Sequence, residues 1–119
     1  MKVRVYYEDT DIGGVVYHAN YLKFCERARS QLFFEKNIIP QDENSGFVVK
    51  ELQAKYIAPA TLGDVLEVSV KLISLKGASL KIHQLICREN EKIFEAEFTL
   101  VYVKDKKPCR IPSSLKNIF

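Results

Sequence analysis

Residues 20–36, NYLKFCERARSQLFFEK, carry the pattern that decides the fold. Apolar side chains recur every three or four positions, with polar or charged residues between them, which is typical of a helix with one buried face. The buried face is predicted to contain Tyr21, Phe24, Cys25, Ala28, Leu32 and Phe33. We predict a helix that begins with Asn20 as its N-cap and runs to about Lys36. The following NIIPQDENSG supplies a proline and small polar residues that end it.

The periodicity of the apolar residues changes to two after Ser45, and a similar segment precedes the helix. This alternation, together with many β-branched and aromatic residues, predicts five strands. They are VRVYY (3–7), FVVKELQAKYI (47–57), DVLEVSVKLISL (64–75), SLKIHQLICRE (79–89) and IFEAEFTLVYV (93–103). The short turns APATLGD (58–64), KGAS (76–79) and ENEK (89–92) favour an antiparallel meander.

These elements predict an α+β fold in which a five-stranded antiparallel sheet wraps around one long central helix. A single copy of such a sheet leaves its edges and one flank in contact with solvent. A second copy can cover them, so we expect the chain to form a homodimer.

The 119-residue chain is long enough for one hydrophobic core, so we expect a single domain over residues 1–119. The N-terminus alternates polar and apolar residues and lacks the apolar run of a signal peptide or membrane span, which predicts a cytoplasmic protein without membrane insertion. A net charge of +3 is too small to indicate nucleic-acid binding but favours a small anionic ligand. The three cysteines are widely spaced, and we interpret them as reduced thiols that bind no metal.

Residues 9–21, DTDIGGVVYHANY, gather two acids, paired glycines, a histidine and an asparagine directly before the helix. With the strand before them and the helix and strands after them, they closely resemble the hotdog-fold acyl-CoA thioesterases of the 4-hydroxybenzoyl-CoA thioesterase group. The likeness is greatest to the YbgC branch, which is associated with the Tol-Pal system. YIAPATLGD (56–64) and LKGASL (75–80) extend the resemblance to nearly the whole chain.

The resemblance implies a hotdog fold in which two copies join their sheets and form active sites at the dimer interface. It also implies further assembly into a homotetramer, and hydrolysis of acyl-CoA thioesters to free acid and CoA with no cofactor. By the same resemblance, Asp11 is the catalytic carboxylate. The backbone N–H of His18 is the donor to the thioester carbonyl.

Thioester hydrolysis requires a group that drives attack on the carbonyl carbon and a donor that stabilises the carbonyl oxygen. Asp11 can attack directly to give a mixed anhydride or can activate a water as general base, and the sequence leaves both routes open. Unpaired N–H groups at a helix start can polarise the carbonyl. Gly13 and Gly14 permit a tight turn and close approach of a ligand. The imidazole of His18, assigned here as a second catalytic group, can orient water, bond the acyl carbonyl or steady Asp11.

Eight residues are predicted to bind substrate: Tyr7, Gly14, Tyr17, Asn20, Lys76, Gly77, Ala78 and Ser79. The last four form a predicted hairpin turn that resembles the nucleotide-contacting segment of the family, where a positive charge suits the phosphates of CoA. Ordinary aromatic packing explains the two tyrosines equally well, and Asn20 also fits a helix cap. Asp9 opens the turn, so we expect it to bond backbone N–H groups rather than to react.

Lys81 and Arg88 are weaker candidates for contacts with the CoA phosphates, and His83 is interpreted as structural. KDKKPCR (104–110) is also basic, but a solvated terminal loop explains this segment equally well. Two alternative functions remain open on sequence grounds. One is a hotdog dehydratase, which the D-x-D-x-G-G-V run disfavours. The other is a noncatalytic module that binds acyl-CoA or acyl carrier protein, since a fold can lose its activity. Acyl carrier protein is also a candidate carrier of the substrate.

Overall fold

The computed structural model describes every residue of the chain, 1–119. One long helix, α1, spans Asn20–Glu35, close to its predicted limits. The strands are β1 (Lys2–Arg4), β2 (Ser45–Tyr56), β3 (Val65–Lys76), β4 (Ser79–Arg88), β5 (Glu91–Lys104) and β6 (Lys107–Pro108). Single 3-10 turns occur at Tyr7–Asp9 and Ser113–Leu115. No helix is both long enough and apolar enough to cross a membrane.

Strands β1 to β5 form an antiparallel sheet in the order β1-β3-β4-β5-β2, and β6 extends this sheet by pairing with β5. The predicted hairpins at KGAS and ENEK are confirmed, because Lys76 pairs with Ser79 and Arg88 with Glu91. The predicted hairpin at APATLGD is wrong, since β2 pairs along its length with β5 and not with β3. Alternation reveals which face of a strand is buried, but the neighbouring strand is chosen by tertiary packing.

The sheet curls around α1 and encloses the hydrophobic core. Five of the six residues predicted for the buried face of the helix are at most 4% exposed, namely Tyr21, Phe24, Cys25, Ala28 and Phe33. Leu32, the sixth, is only half-buried. The sheet contributes side chains that are no more than 2% exposed, among them Leu66, Val68, Ile82, Ile86, Phe94 and Phe98. The alternation predicted for 93–103 is confirmed in β5, where the residues facing α1 are buried. Burying this apolar surface is the main stabilising contribution to the fold.

Cys25 is fully buried on α1. Burial disfavours the thiolate and raises the pKa of the Cys25 thiol to about 12. A thiol that stays protonated is a poor nucleophile, which confirms that Cys25 contributes to packing rather than to chemistry.

Three local predictions need correction. The first strand ends at Arg4 instead of residue 7, because the Asp9 carboxylate accepts the N–H of Tyr6 and folds the following residues into a 3-10 turn. Asn20 is not the N-cap of α1: Ala19 holds that position, and no side chain caps the helix. The basic segment 104–110 is not only a solvated loop, since it contains β6.

Candidate active site

The turn between the first 3-10 turn and α1 holds Asp11 in a fixed geometry. Asp11 Oδ1 accepts the N–H of Gly13 at 2.8 Å and that of Val15 at 3.4 Å. The backbone closes the same turn, because Gly14 donates to the Asp11 carbonyl and Asp11 N–H donates to the Val15 carbonyl. The side chain of Asp11 is exposed, and its Oδ2 has no hydrogen-bond partner within the chain. One carboxylate oxygen is thus anchored while the other is free to meet a ligand or a water.

The paired glycines serve this turn in two different ways. A Cβ on Gly13 would lie 3.2 Å from Asp11 Oδ1, so a side chain there would crowd the carboxylate. Gly14 has a φ of +81°, a left-handed conformation that glycine adopts without strain. Gly13 therefore allows the carboxylate to approach the backbone, and Gly14 allows the chain to turn.

Asp9 lies behind the turn and is 8% exposed. Its Oδ2 accepts the Tyr6 N–H at 2.9 Å, and its carbonyl accepts the Tyr17 N–H and the Asn20 side-chain amide, each at 2.9 Å. The expectation that Asp9 bonds backbone N–H groups is confirmed. Asp9 connects the chain before the turn to the first residue of α1.

The start of α1 presents backbone donors that the chain itself leaves unused. Neither His18 nor Ala19 donates its N–H to any acceptor within the protein. Both residues directly precede α1, where the positive end of the helix dipole adds to the field of these N–H groups. A carbonyl oxygen placed here would find donors in position without a cation.

A third element, which no sequence pattern predicted, supports the helix start. The Tyr56 hydroxyl, at the end of β2, donates to the His18 carbonyl at 2.9 Å. Tyr21 packs beside Tyr56 and accepts the Ala60 N–H at its own hydroxyl, which ties α1 to the chain that follows β2. Burial raises the pKa of the Tyr21 hydroxyl, so this group stays protonated.

Tyr17, Tyr7 and Asn20, the other residues near the turn that are predicted to bind substrate, lie in three different surroundings. Tyr17 packs against the His18 ring, with 4.4 Å between the ring centroids, and both side chains are exposed at the site. Tyr7 lies in the 3-10 turn, is 83% exposed and packs against no other aromatic ring. The Asn20 amide is already engaged with Asp9. Of these three predicted residues, only Tyr17 therefore lies beside the His18 side chain, which also meets the Tyr56 ring edge-to-face.

The Lys76-Gly77-Ala78-Ser79 hairpin turn is confirmed, with Gly77 at a φ of +61°. It lies at the far end of β3 from the Asp11 turn, which contacts residues 60 and 61 just before that strand begins. The twelve residues of β3 span about 36 Å at roughly 3.3 Å per residue. One chain does not bring this hairpin and the Asp11 turn together.

The weaker phosphate candidates already have partners. Arg88 donates to Asp64 and Glu91 at 2.6 Å each and to the Pro59 carbonyl at 3.2 Å. Glu91 and Asp64 raise the pKa of the Arg88 guanidinium. The bonds to Asp64 and Pro59 hold the guanidinium at the loop between β2 and β3. Lys81 lies 3.7 Å from Glu97 on the outer face of the sheet.

His83 lies on the same outer face as Lys81, 3.4 Å from Glu95 on the neighbouring strand. It is placed far from the Asp11 turn by its position within β4, which agrees with the structural interpretation from the sequence.

A groove of about 490 Å³ opens between α1 and the beginning of β2. Its apolar lining includes Phe33, Phe47, Leu100 and Phe119. Arg29 also reaches this groove and donates to the fully buried Gln84, while its guanidinium stacks 4.6 Å from the centre of the Phe98 ring. Burial lowers the pKa of Arg29. The groove offers apolar surface with one cation at its wall.

The curled sheet, the single helix and the carboxylate turn at its start define a hotdog-fold protein of the thioesterase class. The family model of the thioesterase-like superfamily matches residues 5–119, and the chain belongs to that superfamily. The resemblance predicted from residues 9–21 is confirmed.

Individual relatives show which members of the superfamily this chain resembles in sequence. The chain is 41% identical over 129 aligned residues to acyl-CoA thioesterase YbgC of Helicobacter pylori, and the match covers 99% of this chain and 97% of that relative. It is 44% identical over 119 residues to acyl-CoA thioester hydrolase YbgC of Escherichia coli, and the match covers 95% of this chain and 89% of that relative. The solved structure of a probable thioesterase from Bartonella henselae is 30% identical, with a TM-score of 0.88 over 94% and 97% of the two chains. The hotdog fold is thereby confirmed.

Proposed function

We propose that this protein hydrolyses acyl-CoA thioesters to free acid and CoA, with Asp11 as the reacting carboxylate and the N–H groups of His18 and Ala19 as the carbonyl donors. That the chain is a thioester hydrolase follows from its YbgC relatives. The observation that carries the assignment of residues is the turn itself. It holds Asp11 with one free oxygen a few residues before two unpaired N–H groups.

The geometry is compatible with two balanced routes. In the first, Asp11 Oδ2 attacks the thioester carbon, the C–S bond breaks, and CoA leaves as a thiolate that takes a proton from water. Water then hydrolyses the mixed anhydride on Asp11. In the second, Asp11 takes a proton from a water as that water attacks the thioester carbon. The C–S bond of the tetrahedral intermediate then breaks, and the proton on Asp11 passes to the departing CoA thiolate. In both routes, negative charge develops on the carbonyl oxygen, which the N–H groups stabilise.

His18 contributes its backbone to this proposal more than its ring. Its side chain is exposed against Tyr17, while its carbonyl and N–H lie at the helix start. We therefore expect His18→Ala to retain more activity than a change at Asp11, because alanine keeps the same backbone donor.

Asp11→Asn tests the assignment. Asparagine keeps an oxygen for the Gly13 and Val15 N–H groups, so the turn is preserved, but it is neither a base nor a nucleophile. Free-thiol release from short, long and aromatic acyl-CoAs is expected to fall by at least about 100-fold, while acyl-CoA affinity changes little. Turnover near that of the wild type would refute the role of Asp11. Tight binding without hydrolysis by the wild type itself would indicate the noncatalytic alternative.

Single turnover in H₂¹⁸O separates general-base catalysis from a mixed anhydride that water opens at the Asp11 carbonyl, whereas an anhydride opened at its acyl carbonyl labels the acid as the general-base route does. A mixed anhydride opened at the Asp11 carbonyl leaves ¹⁸O in the Asp11 carboxylate and none in the acid product. Attack of activated water on the thioester places ¹⁸O in the acid product and none in the protein. Mass spectrometry of the Asp11 peptide and of the released acid distinguishes these outcomes.

We further propose that the active form is a homodimer joined through β2. This strand is an edge of the sheet, so one side of its backbone is unpaired from Phe47 to Tyr56, beyond the bridge that Gly46 makes with Gln41. Val49, Leu52 and Tyr56 face the same side as the core residues of β5, yet they are 45%, 39% and 52% exposed. A second copy that adds its own β2 would satisfy the edge and cover these side chains.

Antiparallel pairing of two β2 strands also explains the separated parts of the site. It would place the Tyr56 end of one copy beside the Ser45 end of the other. The groove lined by Phe33 and Phe47 lies at that Ser45 end. The 76–79 hairpin lies there too, because Ser79 and Val48 are both register partners of Val101. The apolar groove of one copy, which we propose holds the acyl chain, and its 76–79 hairpin, which we propose contacts CoA, would then lie beside the Asp11 turn of the other copy.

A further inference from the structure

Tyr56 holds the peptide that carries one of the two free donors. Its hydroxyl donates to the His18 carbonyl at 2.9 Å. That carbonyl belongs to the same planar trans peptide as the Ala19 N–H, since the chain has no cis peptide bond. In a trans peptide the C=O and N–H point in opposite directions. A bond from Tyr56 to the oxygen therefore directs the Ala19 N–H away from Tyr56.

The Tyr56 ring is itself fixed by packing. Its centroid lies 5.1 Å from that of Phe94 and 5.7 Å from that of Tyr21, in both cases with an edge-to-face geometry. Tyr21 and Phe94 in turn stack on each other at 5.2 Å. Phe94 is also the register partner of Tyr56 across β2 and β5. These contacts define where the hydroxyl lies and limit its motion.

A hydrogen bond to a peptide oxygen has an electronic effect as well. Donors and acceptors in a chain polarise one another, so a peptide whose C=O accepts a bond becomes a stronger donor at its N–H. Such a chain runs from the Tyr56 O–H through the His18 C=O to the Ala19 N–H. The Ala19 N–H, its last donor, has no acceptor within the protein.

We propose that Tyr56 is a positioning residue for thioester hydrolysis, which orients and polarises the Ala19 N–H so that it stabilises the developing oxyanion together with the His18 N–H. This role rests on the proposed function of the same site. It gives β2 an indirect part in catalysis, because a residue of this strand supports Ala19, the second backbone donor of the proposed site. The effect acts on the transition state, where the carbonyl oxygen carries the most charge.

Tyr56→Phe tests the proposal, because it removes only the hydroxyl and keeps the ring contacts. Losing one such bond is expected to lower kcat by about five- to tenfold and to leave KM within about twofold. The matched control is Tyr102→Phe: Tyr102 is buried at the other end of the sheet, and its hydroxyl makes no hydrogen bond within the chain. This control should keep the kcat of the wild type.

A second measurement does not depend on activity. In protein labelled with ¹⁵N-alanine, the Ala19 amide proton should move to lower chemical shift in Tyr56→Phe and stay in place in Tyr102→Phe. The Ala19 resonance is assigned by its loss in Ala19→Gly. Site-specific replacement of Tyr56 by 3-fluorotyrosine, a stronger hydrogen-bond donor, should raise kcat, whereas a purely structural role of the ring predicts an unchanged kcat.

The outcomes separate this inference from the proposed function. An unchanged kcat in Tyr56→Phe, or a loss that appears only in KM, would overturn the role of Tyr56 while leaving Asp11 in place. An unchanged Ala19 shift would also overturn it. A wild type that hydrolyses no acyl-CoA would overturn the proposed function, and the role of Tyr56 in catalysis with it.

Discussion

The side-chain amide of Asn20 donates a hydrogen bond to the carbonyl oxygen of Asp9 at a distance of 2.9 Å. This bond ties the first residue of α1 to the chain just before Asp11, so the carboxylate and the backbone donors of the helix start keep a fixed relation. The Tyr17 N–H reaches the same oxygen and strengthens the connection. The geometry of the candidate site thus depends on a residue whose side chain is not itself required to touch the substrate.

Asn20→Asp distinguishes this role from helix capping. Aspartate caps a helix about as well as asparagine, but it cannot donate to the Asp9 carbonyl and would bring a negative charge towards it. We expect the substitution to lower the free energy of unfolding by about 1 kcal/mol and to reduce thioester hydrolysis. Denaturant unfolding and thiol-release assays measure the two effects. A variant as stable and active as the wild type would contradict the proposed connection.

Gly13→Ala and Gly14→Ala should separate activity from stability. A Cβ at Gly13 would meet Asp11 Oδ1 at 3.2 Å, so we expect reduced kcat with a small change in melting temperature. A Cβ at Gly14 meets nothing within 4 Å, but the φ of +81° is strained for alanine. Gly14→Ala should therefore lose about 1–2 kcal/mol of stability. Equal effects of both changes on stability and on kcat would refute this division.

Asp64→Asn should destabilise the protein in a pH-dependent way. Partial burial alone would raise the pKa of Asp64, but the Thr61 N–H and Arg88 outweigh it and lower that pKa below its ordinary value of 3.8. A lowered folded-state pKa contributes stability above the unfolded-state pKa, and this contribution is lost as pH falls through the folded-state value.

We expect Asp64→Asn to lower the free energy of unfolding by about 1 kcal/mol at neutral pH. The difference from the wild type should narrow as the pH falls below about 4. Urea unfolding from pH 3 to pH 7 measures this difference. A difference that stays constant over the whole range would show that the charge of Asp64 contributes nothing.

Leu52→Lys should disrupt the dimer proposed to form through β2. The side chain is 39% exposed in a single copy, so lysine is compatible with the folded chain, but two copies would bring like charges together in an apolar interface. The matched control is Ile73→Lys on β3, where the side chain is 48% exposed and the strand lies on the opposite side of the sheet from β2.

Sedimentation velocity is expected to show a dimer for the wild type and for Ile73→Lys, and a larger monomer fraction for Leu52→Lys. Hydrolysis should fall with the dimer fraction if the site uses both copies. A monomeric wild type, or a dimer unaffected by Leu52→Lys, would refute joining through β2.

The amino-acid sequence by itself determined the local elements and the family. Helical spacing in residues 20–36 and alternation in the later segments predicted α1 and the four long strands, because these periodicities directly report which side of an element is buried. The DTDIGG turn predicted the family, since its chemistry lies within one short stretch. Asp9 was also interpreted correctly, because its hydrogen bonds are mostly local.

Only the tertiary structure decided which distant segments meet. The position of β2 beside β5, and with it the bond from Tyr56 to residue 18, depends on contacts between residues far apart in the chain. Neither local propensity nor spacing encodes such a pairing. For the same reason, the sequence alone did not show that Asn20 reaches back to Asp9 instead of capping its helix, or that Arg88 is already engaged with Asp64. The carboxylate can be read from the sequence, whereas the support that positions it arises from the folding of the sheet around α1.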